Sequence, residues 1–126
     1  MADLTVTELN TGDNDGTDMT ASGTAAASGG DEFVNDGRTI LRITSVASGT
    51  PTVTITAQKT SITLPGVGTF APANKAVTLA AGNVTKQYHE IGPFPPAIFN
   101  DGDGRCQVTY SSETDLTVEP VRVKGE

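Results

Sequence analysis

Few side chains in this sequence could do chemistry, and their spacing limits what chemistry that would be. His89 is the only histidine and Cys106 the only cysteine. No His pair can hold a transition metal, no second Cys can form a thiolate site with Cys106, and an internal disulfide is ruled out. A Cys106–His89 nucleophilic pair would need an oxyanion hole and an orienting group, and the sequence shows neither. A Ser-His-Asp assignment carries no weight without geometry. Two acidic clusters, DNDGTD at 13–18 and DGDG at 101–104, invite calcium. Counting an EF-hand loop from Thr11 puts Gly16 at the sixth position but Ser22 at the twelfth, where a bidentate Glu belongs, so the signature fails. Turn formation and solubility explain both clusters. Arg38 and Arg105 each follow an Asp-Gly turn; solvated surface arginine is the default reading, and a structural or intersubunit clamp, the guanidinium bridging carboxylates bidentately, is the sharper one. The expectation is a chain that is not an enzyme, with no cofactor and no metal.

The elements that must position these groups are organised around residues 91–110, IGPFPPAIFNDGDGRCQVTY. Pro93, Pro95 and Pro96 have fixed φ and no N–H, which argues against helix and against a central strand there. Phe94 and Phe99, two of only four phenylalanines, make this corner a predicted packing anchor. The turn at 100–104 then feeds a strand in which Cys106, Val108 and Tyr110 alternate with Gln107, Thr109 and Ser111.

Upstream, Leu4, Val6 and Leu9 give a short strand signal, and residues 10–30 hold Met19 as their only large apolar side chain. Such a segment cannot offset its ordering entropy by burial. Residues 1–30 are therefore expected to be an arm or long loop, and residues 31–126 the domain. Asn35-Asp36-Gly37 is a turn signal. Residues 39–46, TILRITSV, read as a strand through the middle of a sheet, and 52–58, with Val53, Ile55 and Ala57 opposite Thr52, Thr54 and Thr56, as its hairpin partner. Ile62 and Leu64 suit a short strand, and Phe70 with Pro72 another packed corner. Residues 75–79 and 84–91 read as a second hairpin around AAGN. The last strand, 116–123, changes apolar phase at Pro120, where a bulge would reconcile its two halves. FVNDGR at 33–38 and FNDGDGR at 99–105 echo each other, each followed at once by a strand. The sum is an all-β chain of about seven or eight short strands, an antiparallel sandwich or jelly-roll-like barrel.

Composition sets the outer bounds. At 126 residues, 36% apolar and 5% aromatic with no Trp, one modest core of Val, Ile and Leu is the expected store of stability. Twenty threonines favour pleated structure. No apolar run is long enough to span a membrane, and MADLTVTELN has neither the basic nor the apolar part of a signal peptide, so synthesis in a cytoplasm is expected. Of the fifteen carboxylates behind the net charge of -7, eight lie in residues 1–37, which hold no Lys or Arg. Such a segment repels phosphate, so neither nucleic acid nor anionic lipid is expected as a partner. Ice binding needs flat threonine faces repeated over several strands, which this sequence lacks.

GDEFVNDGRTILRI at 30–43, AAGNVTKQYHEIGPFPPAIFNDGDGR at 80–105 and VTYSSETDLTVEPVRV at 108–123 together resemble small all-β proteins of tailed bacteriophages, the head decoration or capsid cement proteins and related minor virion components. The resemblance covers most of residues 30–123, with IGPFPP and the turn after it as its most specific piece. It implies a structural protein on the capsid exterior, made in the host cytoplasm. Its partner would be the major capsid protein, and it would self-associate as homotrimers at threefold or quasi-threefold positions. Candidate interface residues are then Leu4, Val6, Phe33, Arg38, Phe94, Pro95, Phe99 and Arg105, and deleting residues 1–30 would abolish head binding while leaving the domain folded. The alternatives are a carbohydrate- or receptor-binding module, for which Tyr88, Tyr110, Phe70 and Phe94 are the available rings, and a head-tail connector or tail component.

Overall fold

A strict period of two makes Thr39–Ser45 the centre of one sheet. In the computed structural model, which describes residues 1–9 and 23–123, this strand buries Thr39, Leu41, Ile43 and Ser45 and turns Ile40, Arg42 and Thr44 outward. Its sheet, sheet II, runs in the order β10 (Gln87–Ile91), β5 (Thr39–Ser45), β12 (Leu116–Val123), β2 (Thr7–Leu9), and β3 (Thr24–Ala25) also pairs with β12. Sheet I runs β1 (Ala2–Leu4), β4 (Asp31–Val34), β11 (Arg105–Tyr110), β6 (Thr52–Ile55), β9 (Lys75–Thr78). A separate two-stranded hairpin joins β7 (Ile62–Leu64) to β8 (Gly68–Phe70). The chain is an all-β sandwich, and neither sheet closes into a barrel.

Inward residues of both sheets form one core: Phe33, Val53, Ile55 and Val108 from sheet I, with Leu41, Ile43, Leu116 and Val118 from sheet II. Burying a side chain of this size contributes about 1.5–3 kcal/mol. Phe94 is packed between Phe33, at 5.8 Å between ring centroids, and Phe99, at 6.0 Å and nearly edge-on. Aromatic pairs in such geometries add about 0.5–1.5 kcal/mol each beyond area burial.

Several local expectations are overturned, each by a tertiary contact. The 52–58 strand does not pair with its predecessor: β5 lies in sheet II, while β6 pairs with β11 and β9 in sheet I. Nor do 75–79 and 84–91 form a hairpin, because β9 pairs with β6 and β10 with β5. Both connections cross between the sheets side by side, joined by Leu79 N–H to Pro51 O and Gly82 N–H to Ala47 O, each at 2.8 Å. Gly82 is there because a Cβ would stand 2.1 Å from the carbonyl oxygen of Ser45. The proline corner does contain helix, one turn at α1 (Pro96–Phe99), with Pro96 in the first turn. A proline at that position loses only an N–H that a helix leaves unpaired anyway. Gly92–Pro93 is a cis peptide.

No bulge forms at Pro120, since β12 and β5 keep one register from Leu116↔Ser45 to Arg122↔Thr39. Pro120 sits between the lengths of β12 taken up by β3 and β2, where a missing N–H breaks no pairing on that edge. Val121 is instead buried on the outer side, in register with Ile40 and Thr7. Among the described residues the strands number twelve, because 4–9 divides into parts of β1 and β2, and β3, β4 and β8 are added.

The segment expected as an arm contributes to both sheets. β1 lies parallel to β4 and β2 parallel to β12, so residues 1–9 strap the two sheets together at one side. Leu4 is buried opposite Phe33, and Val6 packs against the core. The acidic cluster at 13–18 lies outside the described residues.

Candidate functional site

The eight residues expected at an interface divide into three groups. Leu4, Phe33, Phe94 and Phe99 belong to the core, with Val6 packed against it; all five are corrected from contact residues to structural ones, which for Phe94 and Phe99 is the packing anchor expected of that corner. Arg38 and Pro95 are exposed. Arg105 is a clamp within the chain: its guanidinium pairs with Asp3 and, at 3.7 Å, with Glu32. Arg122, which the sequence did not single out, does the same for the other end of the strap, pairing with Glu8 and, at 3.2 Å, with Asp36. Asp3 is held below the usual carboxylate range by its hydrogen bond from Arg105. The signal that could have identified Arg122 is its place on a strand whose edge partner carries Glu8.

The two echoing turns meet in space. Asn35 Nδ2 donates to Asn100 Oδ1 at 2.7 Å and to the Phe94 carbonyl at 3.0 Å, and Asn100 Nδ2 donates to the Asn35 carbonyl at 2.8 Å. Asp101 accepts from the N–H groups of Asp103 and Arg105 and from Gln107 Nε2. The Gln107 hydrogen bond is the main cause that lowers its pKa. That carboxylate is spent on closing a turn. Among the described residues no group of three His, Cys, Asp or Glu side chains is arranged to hold a metal ion.

Cys106 and His89 are not brought together. Cys106 is fully buried in sheet I, its thiol 3.8 Å from Asn100 Oδ1. Burial, and then the Asp101 carboxylate, push it up to about 12, which leaves a thiol rather than a nucleophilic thiolate at neutral pH. His89 lies on β10, an edge of sheet II, opposite Ile43, with Nε2 buried and unpaired. A buried polar contact that the sequence does not announce is Tyr110 Oη donating to Asp31 Oδ2 at 2.7 Å; Ala27 N–H donates to the same oxygen at 3.2 Å. Burial, and then this hydrogen bond, raise the tyrosine's pKa.

Two of the surface concavities among the described residues bear on ligand binding. One, of about 150 Å³ on the outer face of sheet II, is lined in part by Arg42, Thr44, Lys86, Tyr88 and Glu119, with the Lys86 ammonium 5.7 Å from the Tyr88 ring centroid. It is smaller than the roughly 300–1,000 Å³ of a drug-sized ligand pocket. The other, of about 400 Å³, lies between residues 47–51 and Ser111, Ser112, Thr114 and Asp115, with no ring in its wall. The four rings that a carbohydrate site would need are dispersed: Phe94 in the core, Tyr110 on buried Asp31, Tyr88 on β10, Phe70 on the hairpin.

Leu64, Val67 and Phe70 on the β7–β8 hairpin are 46%, 69% and 47% exposed. No helix of the described residues is long and apolar enough to cross a membrane. Comparison with protein-family models, with curated proteins and with solved structures finds no match to this chain.

Proposed function

We propose that this chain is a structural virion protein that decorates the outside of a phage capsid and stabilises the expanded, DNA-filled head. In this reading it binds the major capsid protein as trimers at threefold or quasi-threefold positions. The observation that carries it is where part of the apolar surface lies: the sandwich encloses its core, and three of the large apolar side chains left exposed sit together on one hairpin. Such a surface serves contact with other protein rather than turnover of a small molecule. The sequence resemblance of residues 30–123 supplies the capsid as the partner.

The physics of the role is mass action. A ligand that binds only the expanded lattice stabilises it by about 2.7 kcal/mol per site at a concentration 100 times its dissociation constant, and repetition over a shell multiplies that gain. The net charge of -7 keeps such a coat soluble.

Truncating residues 1–30 is no longer a clean test, because it removes Leu4 from the core and both strap strands from their sheets. The full chain is to be mixed instead with empty heads in the expanded and unexpanded states. Selective co-sedimentation with expanded heads in many copies, together with a raised head-disruption temperature, is the expected result. No affinity for either state, with binding to an immobilised glycan, would replace this reading by the carbohydrate-binding one. Binding confined to a single vertex would replace it by a connector.

A further inference from the structure

The strands at the ends of the two sheets are β1, β9, β10 and β2, and β10 (Gln87–Ile91) is the longest of them, five residues against three or four. It holds no proline, and its register to β5 runs unbroken from Gln87↔Ser45 to Ile91↔Leu41. Among the described residues no backbone group of β10 is bonded outside that ladder. The N–H and C=O groups along its other side are therefore a template for one more strand.

The side chains on this edge say which strand fits. Tyr88 and Glu90 share the exposed outer face with Lys86, whereas Gln87, His89 and Ile91 turn toward the sandwich. Lys86 lies two residues before Tyr88 and Glu90 two residues after it, so the charges are placed symmetrically about the ring. Arg42 reaches Glu90 at 3.5 Å from the β5 side, and the Glu90 side chain remains 65% exposed; a carboxylate accepts from more than one donor. In an antiparallel pair, residues directly opposite share a face. When β10 pairs with itself about Tyr88, Lys86 meets Glu90 twice. A centre one residue earlier sets Lys86 against Tyr88 and Glu90 against Val84, and a centre one residue later sets Glu90 against Tyr88 and Lys86 against Gly92. Of these three registers, the one centred on Tyr88 alone joins opposite charges, and it needs a second copy of the same strand.

We propose that two copies of this chain pair edge to edge through β10, antiparallel about a twofold axis at Tyr88, so that their two sheets II become one continuous sheet. Lys86 of each copy then faces Glu90 of the other. The two Tyr88 rings, each 57% exposed in the single chain, meet on the outer face, and Gln87 faces His89 on the inner one. Aromatic pairs and opposite-charge pairs directly opposite each other both stabilise antiparallel strands. The contact is isologous, so each unlike pair occurs twice and the contact closes at two copies. The inference goes beyond the proposed function and does not rest on it, since a twofold contact cannot itself close a ring of three. Where both hold, it ties one trimer to the next.

Sedimentation equilibrium of the full chain tests it. Wild-type protein should pass from monomer to dimer with concentration. Lys86→Glu sets two pairs of carboxylates across the axis and Glu90→Lys two pairs of ammonium groups, so each variant alone should dimerise about tenfold more weakly, with an unchanged far-ultraviolet spectrum. Mixed together, the two variants again set opposite charges face to face and should regain the wild-type association. In a second arm, Tyr88→Cys alone under a mild oxidant should form a disulfide-linked dimer, because the axis brings position 88 against itself within the Cα separation that a disulfide spans and the native Cys106 is buried. A wild-type chain that stays monomeric at every accessible concentration overturns the proposal, as does a dimer that neither charge reversal weakens or a mixture that associates no better than its components. Monomeric protein whose β10 amides become protected from exchange only on expanded heads also overturns it and assigns the edge to the capsid. Head binding is read in its own assay, so the capsid reading can stand or fall separately.

Discussion

Two corners of this chain read alike in sequence and end in opposite places. GPFPP at 92–96 and TFAP at 69–72 each set a phenylalanine beside proline at the end of a strand signal, yet Phe94 is 0% exposed and Phe70 is 47% exposed. Phe94 is covered by rings from β4 and α1, and its carbonyl is held by Asn35 from a turn 59 residues away in sequence. Phe70 has Ile62 opposite it on a ribbon that, among the described residues, no third strand joins. A ring beside a proline specifies a bend with something apolar on it. Whether that side chain becomes core or surface is decided by an element from elsewhere in the chain.

The largest effect expected from this difference is at the first corner. Phe94→Ala removes the middle ring of three, and large-to-small changes at such sites cost about 3–5 kcal/mol. Urea unfolding followed by circular dichroism measures it. A loss below 1 kcal/mol would mean that Phe33 and Phe99 collapse into the space, and that the first corner is no more an anchor than the second.

The same division explains how much was legible beforehand. Strands with a clean period of two, such as Leu41 and Ile43 in β5 or Val53 and Ile55 in β6, were readable because one face of each is buried whichever strand lies beside it. Partner choice was not readable. The short spacing from β5 to β6 favours a hairpin locally, but Pro51 and Leu79 pair across a crossover between the sheets, and nothing within six residues of either encodes the other. The strap was missed for a related reason: three-residue strands carry almost no periodic signal, and what places Asp3 and Glu8 is two arginines more than 100 residues later. Of the predicted interface, Arg105 pairs with carboxylates inside the chain, and Phe94 and Phe99 pack as the corner's composition suggested; what the sequence did not show is the distant element, β4 with Phe33, that covers Phe94.

An intermediate effect follows from titration beside the first corner. Cys106 has an ordinary value of 9.0 and is pushed up to about 12 by burial and then by Asp101, and Tyr110 is raised in the same direction by burial and its bond to Asp31. Between those pH values the folded chain keeps a proton on Cys106 that the unfolded chain has lost. Stability therefore falls as pH rises past 9, by at most about 1.4 kcal/mol per pH unit for each such group. Melting temperatures measured from pH 7 to 11 should be level at first and then decline, with a shallower decline in Cys106→Ala. An identical decline in that variant would remove the thiol from the account.

The smallest effect is expected at the second corner, and it is the one that separates the two regions most cleanly. Phe70→Ser exchanges a half-exposed ring for a hydroxyl on a ribbon that shares no pairing with the sandwich, so global stability should move by no more than about 0.5 kcal/mol, in the same urea titration that registers Phe94→Ala. The midpoint and the slope should both hold, because the surface released on unfolding is that of the two sheets and the hairpin adds little to it. A loss comparable to that of Phe94→Ala would make the hairpin part of the cooperative core. A negligible loss is the outcome that an apolar side chain lying outside the cooperative core must produce.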